Sequence, residues 1–485
     1  MNGFDLSTIS NCYIGGTQAS AIYKGNTLIW PTSHNYSHDY FTIQSLENNN
    51  DINIVLETDT YSQAEIEYSY NGGTWTTTQL SSGMNTLRTI NNGDNIRIRG
   101  FRPLYPQQKP KIQYTIKVGT CNVYGNLSSL WYAHIDTVNS TDNYYAALNE
   151  TSILTNESYY MLFYGSDVYN ALNLILPATT LESYCYANMF AGCTSLTTAP
   201  ELPATTLASY CYRSVFAGCT SLTTAPELPA TTLPSYCYEH MFWGCTSLST
   251  APELPATTLS SACYANMFED CTSLTTAPAL HATTLSGGSC YSAMFKGCTS
   301  LTTAPELPAT TLSSSCYNGM FIGCTSLTTA PELPATTLAT YCYGSMFYGC
   351  TSLTTAPELP ATTLAESCYR EMFSNCASLT TAPALPVTTL SGYCYYSMFR
   401  GCTSLTTAPA LPASTLARYC YKNMFYNCTN LNAVTCLATD ISASNCTTDW
   451  LYNVAATGTF TKKSGVTYQS GQNGIPSGWA VVDVS

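Results

Sequence analysis

From Leu181 onward apolar residues fall at helical spacing. Leu181, Cys185 and Met189 stand at i, i+4 and i+8, and Tyr186, Phe190 and Cys193 at i, i+4 and i+7. Together they predict a wide apolar face on a short helix. Gly192 sits where a left-handed helix end is favourable. Leu196 follows as a buried anchor. Residues 197–202 predict a short strand, limited by Pro200 and Pro203, and Pro203-Ala204-Thr205-Thr206 predicts the turn back.

This helix, turn, strand and turn recur down the chain. The second cysteine of the unit falls at Cys193, Cys219, Cys245, Cys271, Cys298, Cys324, Cys350, Cys376, Cys402 and Cys428, at intervals of 26 residues with a single 27. A fixed period of this length predicts a solenoid, in which each unit buries its apolar face only against its neighbours. Stacked strands lie about 4.8 Å apart and packed helices about 10 Å. That mismatch predicts a curved or twisted right-handed solenoid with strands on its inner face.

Ahead of the repeats the pattern changes to alternation. Ile52-Asn53-Ile54-Val55-Leu56 and Ile66-Glu67-Tyr68-Ser69-Tyr70 are examples, and Asn71-Gly72-Gly73 is a strong hairpin turn. A small β-sandwich is predicted. Nearer the start, Cys12-Tyr13-Ile14-Gly15-Gly16-Thr17 returns ten residues later as Ile22-Tyr23-Lys24-Gly25-Asn26-Thr27, which reads as a β-hairpin too small to fold alone. The predicted organisation is multidomain. It comprises a hairpin anchor (1–34), a β-sandwich (35–119), a connector with an N-terminal solenoid cap (120–180), a leucine-rich-repeat solenoid (181–436) and a C-terminal cap (437–485). Met161-Leu162-Phe163-Tyr164-Gly165-Ser166 reads as a degenerate first rung with Ser in the cysteine position.

The repeat resembles the BspA-like (Treponema-type) leucine-rich repeats of bacterial surface proteins. The matching residues are Phe190-Ala191-Gly192-Cys193, Leu196 and Leu202-Pro203, and the match covers about residues 158–436. The unit here is longer, through its Cys-Tyr turn and its Ala-Pro-Glu-Leu-Pro strand. The N-terminal hairpin resembles the first segments of phage tail and fibre proteins, where Tyr-x-Gly-x-Thr units precede a terminal Trp, here Trp30.

Composition narrows the function. Only 9% of residues are charged and the net charge is −13, which argues against nucleic acid, since phosphate binding needs clustered Lys and Arg. No apolar run is long enough to span a membrane, and the first residues lack the pattern of a secretory signal. Twenty of the 24 cysteines lie in the repeats, in pairs eight residues apart. On a helix such a pair is separated by about 12 Å, beyond the roughly 7 Å that a disulfide spans. Two ladders of buried, reduced thiols are predicted, with inter-rung disulfides under oxidation as the alternative. Cys436 and Cys446 are a candidate bridge in the C-terminal cap.

Positions that vary between rungs mark the surface. The residue after the Phe includes Trp243, Lys296, Ile322, Tyr348, Arg400 and Tyr426, which predicts a binding stripe with exposed aromatics, against the alternative of a face that has drifted. Glu201, Glu227, Glu253, Glu306, Glu332 and Glu358 form an acidic stripe, either solvated or a weak calcium or polyamine site. The five histidines (His34, His38, His134, His240 and His281) have no ligand spacing, and no catalytic motif is present. No cofactor, metal site or enzymatic activity is expected.

The chain therefore reads as a phage virion protein, a tail fibre or exposed decoration assembled in the host cytoplasm. It would bind other virion proteins through its N-terminal segment and a host surface protein or glycan through the solenoid. The alternatives are a bacterial cell-surface adhesin and a purely structural virion component. Neither nucleic-acid binding nor membrane insertion is expected, and monomer and homo-oligomer both fit.

Overall fold

The computed structural model describes residues 40–56, 64–100, 114–130, 156–471 and 473–485. It gives backbone alone for four short strands between 13 and 30 and for strand ends reaching 63 and 103. The predicted hairpin is two hairpins. β1 (Tyr13–Ile14) pairs antiparallel with β2 (Thr17–Gln18), and β3 (Ile22–Lys24) with β4 (Thr27–Trp30). Each half of the ten-residue echo pairs within itself. Cys12 and the rest of the predicted anchor lie outside the described residues.

The alternating region folds into two facing sheets. Its strands are β5 (Thr42–Ser45), β6 (Asn50–Leu56), β7 (Gln63–Tyr70), β8 (Trp75–Ser81), β9 (Gly83–Ile90), β10 (Asn95–Pro103), β11 (Tyr114–Lys117) and β12 (Cys121–Asn126). Inward residues such as Phe41, Ile43, Ile54, Ile66, Ile98 and Ile116 are completely buried. Asn71 and Gly72 make the β7–β8 turn with positive φ (45° and 72°), as Asn-Gly turns do. One sheet has the order β11-β6-β9. In the other, β12-β5-β10-β7-β8, the free side of β12 pairs in parallel with β13 (Val168–Asn170) and β14 (Leu174–Ile175). Residue 119, where the sandwich was expected to end, lies in the bend that joins β11 of one sheet to β12 of the other. The core is continuous too, since Phe41 packs on Phe163 (5.9 Å between ring centroids) and Phe163 stacks on Phe190 (5.2 Å).

The rung contains no α-helix, contrary to the periodicity argument. In the unit around Cys316, Ser315, Tyr317, Gly319, Phe321 and Gly323 donate their N–H groups to the next rung, to the carbonyls of Thr340, Cys342, Gly344, Met346 and Tyr348 (2.7–3.0 Å). The intervening residues, Cys316, Asn318, Met320, Ile322 and Cys324, each donate to the carbonyl three residues back (3.1–3.4 Å). Every fourth residue is left-handed, with φ of 57° at Ser315, 66° at Gly319 and 71° at Gly323. The result is a ribbon of linked turns. It still buries residues four apart, which is why it imitates a helix in sequence, but half its N–H groups point along the stack. A helix would keep those bonds to itself and force its neighbour to about 10 Å. A ribbon bonded to its neighbour at five points per rung takes strand-like spacing. The mismatch that called for curvature therefore does not arise.

The other side of the rung is sparser than expected. The predicted strand is reduced to single parallel bridges, such as Thr224↔Thr250↔Thr276↔Thr303. The predicted turn makes a second column of bridges, Thr180↔Thr206 and Thr337↔Thr363, widening to two residues at β15 (Thr232–Leu233) and β16 (Thr258–Leu259). Prolines near the bridges cannot donate, which keeps both columns to one or two residues per rung within the repeats.

The third left-handed position is Gly192, Gly218, Gly244, Gly297, Gly323, Gly349 and Gly401, and elsewhere Asp270, Asn375 and Asn427. Asn and Asp are the side chains that tolerate this conformation best. Gly323→Ala should therefore lower stability by about 1–2 kcal/mol. Gly323→Asn should cost clearly less, and equal losses in chemical denaturation would refute this account.

Both cysteine ladders are buried, and none of the 23 described cysteines forms a disulfide. That includes Cys436 and Cys446, the predicted bridge; Cys436 instead accepts a hydrogen bond from the Tyr468 hydroxyl (3.3 Å). Each thiol from Cys193 to Cys428 in the second ladder donates to the carbonyl of the Phe in the preceding rung at 2.9–3.1 Å. The ladder is thus a row of hydrogen-bond donors as well as small apolar filler. Ser166 takes the same place in the first, degenerate rung, its hydroxyl donating to the Ile116 carbonyl at 2.7 Å. At the far end Trp450 stacks between Tyr421 (6.2 Å) and Tyr468 (6.0 Å) and donates its indole N–H to Gly474. The parallel strands β17 (Ala433–Cys436), β18 (Gly458–Lys463) and β19 (Trp479–Val484) extend the stack beyond the last repeat.

Candidate interaction surface

The turn ribbon decides which side chains reach solvent. Between residues 394 and 402 every residue is buried except Tyr396, Arg400 and Gly401. Tyr393 and Arg418, just before the first cysteine of their rungs, are also accessible. The ribbon therefore presents a few columns of variable side chains, repeated at rung spacing above an invariant core.

Of the predicted stripe, Trp243 (45% exposed) and Arg400 stand in solvent. Ile322, Tyr348 and Tyr426 are half-buried, not exposed as expected, and so is Lys296, because the rungs are close enough for long side chains to lie on their neighbours. Tyr426 stacks on Tyr452 at 4.8 Å, with the Arg400 guanidinium over its other side at 5.2 Å. Lys296 bonds Glu269 at 2.7 Å. Near Trp243, the His240 ring meets the indole edge-on at 6.2 Å, and Glu239 binds Arg213 at 2.5 Å. Burial holds the His240 pKa below its ordinary value despite the nearby carboxylates.

A further column escaped the sequence reading. Tyr184, Tyr210 and Tyr236 stack at 4.6 and 4.8 Å with planes parallel within 2°, and Tyr393 stacks on Tyr419 at 4.6 Å. These left-handed tyrosines precede the first cysteine. The signal was present in the alternation of Tyr with Ala262, Ser289, Ser315 and Ser367 at that position.

Glu201, Glu227, Glu253, Glu306, Glu332 and Glu358 are all exposed, on the proline-rich side of the rung. Among the described residues no three His, Cys, Asp or Glu side chains come together as a metal-binding group. No helix of the described residues is long and apolar enough to cross a membrane. In the lengthened rung His281 is exposed, and Gly287 lies against the Ser260–Ser261 backbone, where a Cβ would approach to 2.4 Å.

The profile of the BspA-type leucine-rich repeat region matches the chain in six copies, over residues 159–319, 289–406 and 315–448. These matches together cover more than half of the 485 residues. The chain belongs to the BspA-type leucine-rich repeat family. No curated protein matches it. The matched span takes in the Ser166 rung and ends at residue 448, ahead of Trp450 and of strands β18 and β19.

Proposed function

We propose that this BspA-type repeat protein is a surface-displayed attachment protein whose turn-ribbon face binds protein or glycan on another surface. The observation that carries the reading is the division of labour within each rung. The core positions (Cys, Tyr, Met, Phe, Cys and Leu) hardly change from rung to rung. The accessible columns run through Trp, Tyr, Arg, Glu, Lys, Ile and Ser. A scaffold that repeats its core and varies its accessible face suits weak contacts summed along its length. The repeat family, known from bacterial surface proteins, supports the same reading. It is a binding role and not a catalytic one, because near-identical rungs do not converge on one asymmetric site.

A virion attachment protein is the same role on another carrier. It is favoured by the two small N-terminal hairpins, which need something larger to dock on. Immunogold microscopy of the producing culture, with antibody to residues 180–430, tests both. Gold on the outer envelope of cells is the expected result. Gold on particles, with bare envelopes, would move the attachment role to a virion. Gold confined to the cell interior would sink the proposal.

A further inference from the structure

Charge is unevenly distributed along the stack. No Asp or Glu occurs between Glu371 and Asp440, whereas Arg400, Arg418 and Lys422 lie in that interval, in a chain of net charge −13. In the same rungs the acidic stripe stops, with Ala384 and Ala410 in its place. Elsewhere on the ribbon face cations are matched, Arg213 by Glu239 and Lys296 by Glu269. Arg370 meets Glu371 at 3.3 Å and Arg418 meets Glu366 at 2.7 Å. Arg400 and Lys422 have no carboxylate within ion-pair distance among the described residues.

Aromatic rings frame these cations. Arg418 lies over Tyr393 (5.4 Å), Lys422 over Tyr419 (5.4 Å), Arg370 over Tyr396 (4.8 Å) and Arg400 over Tyr426 (5.2 Å). Tyr393 in turn touches Tyr396 at 5.9 Å. Each cation is held against a ring face, which limits its conformations; Arg370 and Arg418 also bond carboxylates, whereas Arg400 and Lys422 keep their donors for a ligand. An arginine fixed in this way is suited to a carboxylate. Tyrosine edges beside it offer hydroxyls and apolar flanks, the mixture a sugar ring presents in return.

We infer that the ribbon face of the last rungs, formed by Tyr393, Tyr396, Arg400, Arg418, Lys422 and Tyr426, binds an acidic polysaccharide whose sugars carry carboxylates. Its charges recur along the chain, as the cations do from one rung (Arg400) to the next (Arg418 and Lys422), although in different columns, so single weak contacts add. The inference rests on the attachment reading and names its ligand class.

The test is binding of the full chain to immobilised polygalacturonate, to its methyl-esterified form and to polyglutamate. Polygalacturonate should bind, weaken as salt rises, and exceed its ester by at least about tenfold. Arg400→Gln with Lys422→Gln should weaken binding by about tenfold or more, while Arg400→Lys with Lys422→Arg should retain most of it. Equal binding of the ester would overturn the role of carboxylates. Equal binding of polyglutamate would overturn the saccharide in favour of an acidic peptide. Failure to bind polygalacturonate by a chain that immunogold places on the cell envelope would remove this inference and leave the attachment role standing.

Discussion

Raising the pH above 9, with reductant present, should unfold the repeat stack over a narrow interval. Burial pushes Cys193, Cys211, Cys245, Cys324, Cys342, Cys376, Cys420 and Cys428 up to about 12 from an ordinary 9.0. The packed phenols shift the same way, Tyr186, Tyr238 and Tyr264 lying well above 10.0. A group whose folded pKa is raised lends its full stabilisation below the unfolded value and loses it as pH climbs towards the folded one. Here that loss begins near pH 9. Each thiol lowers stability by up to about 1.4 kcal/mol per pH unit, so eight of them remove on the order of 10 kcal/mol per unit. That is comparable to the whole stability of an ordinary domain, roughly 5–15 kcal/mol. Far-ultraviolet circular dichroism should therefore collapse between about pH 9 and 10.5, together with the rise in thiolate absorbance. A chain still folded at pH 11 would show that the ladders are not sealed. Cys290 runs against the trend. In the lengthened rung, its hydrogen bond with Cys263 holds it below the usual value and drives Cys263 up.

The spacing of apolar residues identified what is buried better than how the chain buries it. Leu181, Cys185, Met189, Tyr186, Phe190 and Cys193 are all buried, as the helical reading requires. A turn ribbon with a left-handed residue at every fourth position places the same residues inward, so periodicity alone does not separate the two. The discriminating signal was conformational. Asp270, Asn375 and Asn427 stand where other rungs have Gly, and three such substitutions mark a left-handed position more strongly than Gly192 alone. The facing sheets followed from turn residues and alternation, which act locally; the same signals gave one hairpin at 13–30 where there are two. The binding face was only partly legible. Variability picked out Trp243 and Arg400, but closeness of the rungs, which governs how far Tyr348 or Ile322 projects, is a property of the ribbon. The acid-free interval after Glu371 needed no structure at all and was the clearest unread feature of the chain.

Removing one ring from the middle of the phenylalanine column should divide the stack. Phe321 is fully buried and stacks on Phe295 at 5.7 Å and on Phe347 at 5.6 Å. Phe321→Ala should destabilise by about 3–5 kcal/mol, the usual cost of emptying a buried aromatic site. In a stack whose units touch only their neighbours, that loss falls on two adjacent interfaces and is not shared by the rest. Calorimetry should then resolve two transitions where the parent chain shows one, with hydrogen exchange fastest in the rungs flanking the substitution. The last repeat makes a useful contrast. Phe425 has Phe399 on one side at 5.7 Å and the cap on the other, so Phe425→Ala should fray the C-terminal end and leave the main transition close to its original temperature. If both substitutions instead lowered a single transition equally, stability would be spread along the whole array. Coupling would then reach well beyond the five backbone bonds and the stacked rings that join each rung to the next.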